Sequence, residues 1–321
     1  MGDEKRPRYE EFDLRDVRTY PLASRPSKAR VDDFARRFIP GSGVSGLISS
    51  LPVMLAGADL RAIVQRLTTA RRNGAWVIWG FGAHVIKTGL GPVLIDLMER
   101  GYVSALATNG AGIIHDFEVA LGGATSEDVD EALGPGRFGM AEETGRTLNE
   151  AINSGVSRGA GLGEAVASYL HAATPPFAEV SVVAASARLG IPLTVHVALG
   201  TDITHMHPAA SGAAIGEGSL RDFRRFVAHI ARLQRGAYLN CGSAVVLPEV
   251  FLKAVALVRN RGVDLAGMST INLDFVRQYR AHTNVVMRPT RDIGHGYSLV
   301  GHHELLIPLL AAALIEQERT A

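Results

Sequence analysis

Only one cysteine, Cys241, stands in the 321 residues, so no intrachain disulfide can form. That excludes the small disulfide-stapled scaffolds and fits a reducing, cytoplasmic setting. Lysine is nearly as scarce: Lys5, Lys28, Lys87 and Lys253 are the only four among 33 basic residues. Any chemistry that needs a lysine amine has four places to look. An excess of either charge is missing too, since 32 acidic residues leave a formal net charge of +1. Nothing in that balance points to a nucleic-acid partner, and none is expected. No apolar run reaches the roughly 18–20 residues of a membrane span. Residues 305–315 are strongly apolar but too short, and read as a buried helix. The opening MGDEKRPRYEEFD is charged and lacks the apolar centre of a signal peptide. No membrane partner is expected.

What remains is an ordinary globular composition, 47% hydrophobic and 20% charged. Residues 1–45 read as a polar arm broken by Pro7, Pro21, Pro26 and Pro40. Residues 46–321 read as one domain. Within it, apolar and β-rich runs occur at 75–81, 103–109, 192–199, 237–242 and 265–271. Helical patterns lie between them at 91–101, 139–152, 162–172, 177–189, 222–233 and 247–260, with a last one at 302–317. Continuously apolar strands are buried on both faces, as in parallel sheets. Their alternation with helices predicts an α/β fold with a doubly wound, mostly parallel, Rossmann-like sheet. Such sheets bind ligands at the carboxyl ends of their strands. Chemistry is therefore sought just after each run.

The first run ends at Gly80-Phe-Gly82-Ala-His84-Val-Ile-Lys87, where small residues admit a ligand and Lys87 offers a charge to an anion. The second ends at Thr108-Asn109-Gly110-Ala111-Gly112-Ile-Ile-His115-Asp116-Phe-Glu118. A dinucleotide fingerprint would have its third glycine where His115 stands, so the match to that motif is weak. Asp116 and Glu118 also suit the first turn of a helix, where the macrodipole favours carboxylates. The third run leads to Asp202-Ile-Thr-His205-Met-His207, a group able to bind a transition metal or to move protons. The fourth leads to Asn240-Cys241-Gly242-Ser243-Ala244, with Glu249 just beyond. Cys241, alone on an apolar strand, reads as a small core residue. The last stretch carries His302-His303-Glu304 at a helix start, where neighbouring side chains diverge and at most one histidine faces a given site.

In order and spacing these strand-end motifs resemble the deoxyhypusine synthase family over residues 70–315. The resemblance implies a single Rossmann-like domain, a homo-oligomer (dimer or tetramer) and NAD held between paired subunits. It also implies transfer of an aminobutyl group from spermidine to a protein lysine or another amine. His84 falls at a family asparagine beside the cofactor, and Lys87 at a serine in that turn. Thr108, Asn109, Gly110, Ala111 and Gly112 resemble its Thr-Thr-Ala-Gly-Gly turn at NAD. His115 replaces an acidic residue there, and Asp116 keeps one. Asp202 resembles an aspartate near the cofactor, and Gly242 and Ser243 its glycine-rich turn. Gly82 belongs to the same expected cofactor set. Two departures matter. Leu247-Pro248-Glu249 stands where the family has its histidine base, and no lysine follows Lys253 to match its Ser-Trp-Gly-Lys motif. Arginine cannot substitute, because a guanidinium stays protonated and is no amine nucleophile.

The expectation is therefore an NAD-dependent enzyme for a small amine or amino-acid-like substrate, and not a true deoxyhypusine synthase. His115, His205, Glu249 and His303 are its candidate proton-transfer groups. Lys87 is its candidate anion anchor or, failing that, imine former. One alternative is a metal-dependent hydrolase built on Asp202, His205 and His207, with His302 or His303. Another is a nucleotide-binding protein without catalysis.

Overall fold

The computed structural model describes residue 9 and residues 11–319, the side chain of residue 319 excepted. Residues 11–41 run along the outside with two single 3-10 turns, Leu22–Ser24 and Val31–Asp33, and almost no burial. The ordered body then alternates helix and strand: α1 Gly43–Ser50, α2 Leu55–Arg72, β1 Val77–Phe81, α3 Ala83–Lys87, α4 Gly91–Glu99, β2 Ala105–Asn109, α5 Gly110–Gly122, α6 Val129–Leu133 and α7 Glu142–Ser157. It continues with α8 Leu162–Ala173, α9 Val182–Leu189, β3 Leu193–His196, α10 Gly212–Ile230, β4 Ala237–Cys241, α11 Val246–Asn260 and β5 Ser269–Asp274. A short α12, Tyr279–Ala281, runs into a π-helical turn at His282–Met287, followed by β6 His295–Val300 and α13 His303–Arg319.

All six strands are parallel, in the order β3-β2-β1-β4-β5-β6. The chain reverses its direction of travel across the sheet between β1 and β4. There the carboxyl edge opens into the crevice where such folds hold ligands. The predicted α/β, doubly wound, Rossmann-like class is what the structure shows.

β1 to β5 are buried along nearly their whole length, as their apolar runs require. One face carries Trp79, Phe81, Leu106, Val195, Leu239 and Ile271 against helices that include α2, α4, α8 and α13. The other carries Ile78, Ala105 and Tyr238 against Phe226 and Ile230 of α10 and Phe251 of α11. The Tyr238 and Phe251 rings stack with centroids 4.0 Å apart. Polar groups fasten what apolar contact leaves open. Asp222 covers the outer edge of β3, accepting from Val195 N at 2.9 Å and from Gly163 N at 2.9 Å. Glu316 of α13 accepts from Val44 N and Ser45 N at 3.0 and 2.7 Å, so the last helix caps the first.

Several elements differ from the sequence reading: the short helices α1, α6 and α12 were not expected, and three larger differences have a visible cause. α2 was not expected, although Leu60, Ile63, Val64 and Leu67 recur on one buried face. α10 starts ten residues before its apolar pattern, because Ser211 caps a first stretch full of small residues. Gly218 lies there against Leu162 and Val156, where a Cβ would sit 2.6 Å from Leu162. β6 was missed because only Leu299 in it is buried and it holds Gly296, so no apolar run shows it. Among the described residues no helix is long and apolar enough to cross a membrane.

Candidate functional site

The turns after β1 and β4 press together at the crevice. Gly82 N donates to Cys241 O at 2.9 Å, and a Cβ on Gly82 would come within 2.6 Å of Gly242 O. Gly242 has φ +71°, and a Cβ there would meet His303 Cε1 at 2.7 Å. Both positions therefore demand glycine. His303, 0% exposed, stands at the start of α13, directly behind the turn. Its Nε2 lies 3.1 Å from Leu273 O, and a carbonyl only accepts, so Nε2 carries the proton. In the uncharged form of the ring Nδ1 is then a bare acceptor, buried and without a partner among the described residues.

His84, exposed on α3, stands over His303 with ring centroids 5.4 Å apart, and Phe275 contacts both at 5.7 and 6.1 Å. Asp274 is nearly buried beside them and accepts from Phe275 N at 2.9 Å. Burial pushes its carboxyl above the usual range, while His303 and His84 pull the other way. One strand over, Asn240 Nδ2 donates to Ser243 O and Asn272 Oδ1 at 2.9 and 2.8 Å. Its Oδ1 is a second buried acceptor with no partner among the described residues. Ser243 Oγ accepts from Leu247 N at 3.2 Å in the first turn of α11.

The turn after β2 is closed. Thr108 Oγ1 donates to Phe81 O at 2.8 Å, and Asn109 Oδ1 caps α5 by accepting from Gly112 N at 2.9 Å. A Cβ on Gly110 would lie 1.9 Å from Asp202 Oδ2, so the protein's own carboxylate occupies the positive end of α5. The gap bounded by Gly110, Ile113, Asp202 and His205 measures about 10 Å³, hardly enough for one water. Thr108, Asn109, Gly112 and Asp202, expected at a cofactor, are engaged with the protein itself. Ala111 is half-buried in the same turn. His205 belongs to this arrangement: its Nδ1 accepts from Gly200 N at 3.1 Å, and its Nε2 faces Asp202 Oδ2 at 3.7 Å. Burial raises the Asp202 carboxyl and His205 offsets it.

His207 turns elsewhere, with Nε2 3.2 Å from Glu142 Oε2 and Nδ1 accepting from Ala209 N. Among the described residues no three His, Cys, Asp or Glu side chains are placed to share a metal ion. The Asp202/His205/His207 hydrolase expected as an alternative thus lacks its centre, because the loop spends these groups on capping.

Glu249 faces Lys253 and Asn284, with Arg280 at 3.4 Å, and its carboxyl is held low chiefly by Lys253. It is an ion-paired, half-buried residue in the first turn of α11. His302 is exposed beside Glu304, so of the adjacent pair only His303 faces inward. Asp116 is buried and accepts from Ser181 Oγ and from Val182 N and Val183 N at 2.8 and 3.1 Å, capping α9. Cys241 is buried, its thiol pushed far up by that burial. His115 lies 2.6 Å from the hydroxyl of Thr125, which in turn reaches Glu118 at 2.5 Å. Lys87, exposed at the end of α3, opposes protonation of His115 by its charge.

The sequence reading overlooked Phe275 and Thr125, and left Asn240 and Asp274 outside its site. Asn240 and Asp274 had a usable signal, being polar residues at the ends of apolar strands. Thr125 had none, since it reaches His115 across a loop.

Residues 61–168 match the family model for the C-terminal Rossmann-fold region of ArgZ-like arginine dihydrolases. No curated protein matches. Among solved structures, apo ArgZ, an arginine dihydrolase from the ornithine-ammonia cycle in Cyanobacteria, is similar at 17% identity and a TM-score of 0.51. AgrE in a ternary complex with ornithine and NAD+ is similar at 18% identity and a TM-score of 0.53. A conserved LOR/SDH protein from Methanococcus maripaludis S2 follows at 17% and 0.52. The matches cover 83%, 85% and 81% of this chain. They cover 34% of ArgZ, 35% of AgrE and 70% of the LOR/SDH protein, so the chain spans about a third of the first two. At these identities the likeness is one of fold, a Rossmann-type α/β domain.

Proposed function

We propose that this chain is an NAD-binding enzyme for a small amine or amino-acid-like substrate, working at the carboxyl edge between β1 and β4. The observation that carries the reading is the pair of buried acceptors there, His303 Nδ1 and Asn240 Oδ1, left without partners beside two obligatory glycine turns. Leaving such atoms unpaired costs about 1–3 kcal/mol each, which a ligand with N–H and O–H donors would recover. A nicotinamide nucleotide has both. Gly82, His84, Gly242 and Ser243 would hold it, with Lys87 drawing an anionic group. The cofactor would supply a hydride acceptor. The chain's own groups would bind the substrate, exclude water with Phe275 and take up protons. AgrE holding ornithine and NAD+ on a like fold supports the choice of ligands.

Deoxyhypusine synthesis proper does not fit, since Lys253 is paired with Glu249 and no lysine follows it. A homo-oligomer remains part of the proposal, to be read from light scattering. The direct test is thermal unfolding with NAD+, alone and with ornithine or spermidine. At 100 times Kd, NAD+ should add about 2.7 kcal/mol of stability. An unchanged melting temperature at saturating NAD+ would count decisively against the reading.

A further inference from the structure

The site holds several histidines, but hydrogen-bond donors and acceptors can be counted out for each. Thr125 Oγ1 has one proton. It lies 2.5 Å from Glu118 Oε2, and a carboxylate only accepts, so that proton goes to Glu118. The 2.6 Å contact between Thr125 Oγ1 and His115 Nδ1 then needs its proton from the imidazole. His115 is thereby fixed as the Nδ1–H form, leaving the lone pair on Nε2. Glu118 is anchored at its other oxygen by Thr144 Oγ1 at 3.1 Å. Among the described residues Nε2 of His115 has no partner, and it is not one of the sealed-in polar atoms, so on this half-buried ring it keeps contact with solvent. His303 differs at each point: its ring is 0% exposed and its free nitrogen is enclosed.

We propose that His115 is the proton acceptor of this edge, with Thr125 and Glu118 as its positioning residues, and that His303 is not. The proposal rests on the functional reading above and names the residue that moves the proton. The step is simple. Nε2 takes a proton from the substrate's ammonium group, leaving the free amine and an imidazolium. Glu118, through Thr125, stabilises that imidazolium, as a buried carboxylate does for other oriented histidines. The charged groups facing His115 are Glu118 on α5 and Lys87 on α3; burial, with Lys87, lowers the ring's affinity for a proton, against Glu118. The acquired proton therefore returns readily to water. Lys87 stands one turn after His84 on α3, and α3 packs against α5, the helix that carries His115.

Two measurements need no substrate. Long-range proton–nitrogen NMR on histidine-labelled protein should show His115 neutral and protonated at Nδ1 at pH 7.5. In Thr125→Val it should move toward the commoner Nε2–H form. Diethylpyrocarbonate, read by peptide mapping, should modify His115 quickly and leave His303 intact, with about a tenfold slower rate at His115 in Thr125→Val. An Nδ1-bare His115 in the wild type, or equal modification of both histidines, would overturn the assignment.

A third measurement joins it to function. His115→Gln should bind NAD+ as the wild type does. It should lower kcat for NAD+-dependent oxidation of the amine substrate by about 10²–10⁴-fold at little cost in KM. It should also lose the acid limb of the pH profile. Full activity in His115→Gln would sink the proposal. Absence of NAD+ binding in the wild type would instead sink the broader reading, and the NMR and modification results would still decide which histidine accepts the proton.

Discussion

His303 and His115 stand above the same sheet in opposite circumstances. His303 fills the space behind the Gly242 turn, seals its polar atoms away from water and is held by one backbone carbonyl. His115 is half-buried, oriented by a side-chain chain of three residues, and presents a nitrogen to solvent. A ring enclosed by the Gly242 turn, the Leu273 carbonyl and the His84 and Phe275 rings is suited to shaping a turn and receiving a ligand's hydrogen bond. A ring with one tethered and one open nitrogen is suited to moving a proton. Burial alone is therefore a poor guide to which histidine does chemistry, and the fate of each nitrogen is a better one.

The comparison breaks most visibly at Gly242. Alanine there would force a side chain into the left-handed region and against His303 Cε1 at 2.7 Å. Backbone strain and overpacking together predict a loss of about 2–4 kcal/mol in urea unfolding. Removing the ring as well, in Gly242→Ala with His303→Ala, should recover part of that loss, giving a coupling of about 0.5–3 kcal/mol. Strict additivity would mean that the ring and the turn do not depend on each other.

A third histidine sharpens the contrast through pH. His196, at the end of β3, is buried against Phe226 with rings 5.2 Å apart, and burial pushes its pKa down to about 3. The folded state thus binds this proton less readily than the unfolded chain, whose histidine titrates near 6.5. Its contribution is intact above about pH 6.5 and is lost as pH falls toward 3, by about 1.4 kcal/mol per pH unit. His196→Phe should lack that slope, so the difference in stability between variant and wild type should change with pH by about that amount, as urea midpoints from pH 7 to pH 4.5 would show. A slope unchanged by the substitution would mean that the His196 ring is not sequestered.

These contrasts also mark what the sequence discloses. The five apolar runs found β1 to β5 because a parallel strand buried on both faces must be apolar throughout, and that pattern survives without any knowledge of neighbours. β6 has one face to solvent and a glycine, so no such pattern exists to read. Order and glycine turns led, through the family they resemble, to a Rossmann-type fold, which the structure has. What stayed hidden was the use made of each polar group. Asp202 and Asn109 looked like ligand contacts because they fall at the resembled family's cofactor turn; helix starts attract anions and acceptors, and the protein meets that demand with these side chains itself. Glu249 looked like an acid at a strand end, but Lys253 one turn later and Arg280, 31 residues on, claim it. Side-chain pairing across loops leaves no periodic trace, and Thr125 is the clearest case.

The smallest expected effect separates positioning from packing. Glu118→Gln keeps the shape and a hydrogen-bonding group at both threonines, and Glu118 is only partly buried, so stability should stay within about 0.5 kcal/mol of wild type. The ionic support for a protonated His115 would nevertheless be gone. Glu118 raises the affinity of His115 for a proton while burial and Lys87 lower it. The variant's His115 should therefore titrate lower still, a shift that NMR reads directly. If Glu118 served packing alone, unfolding would change and the titration would not. A titration that falls while the unfolding curve holds still assigns the carboxylate to the histidine.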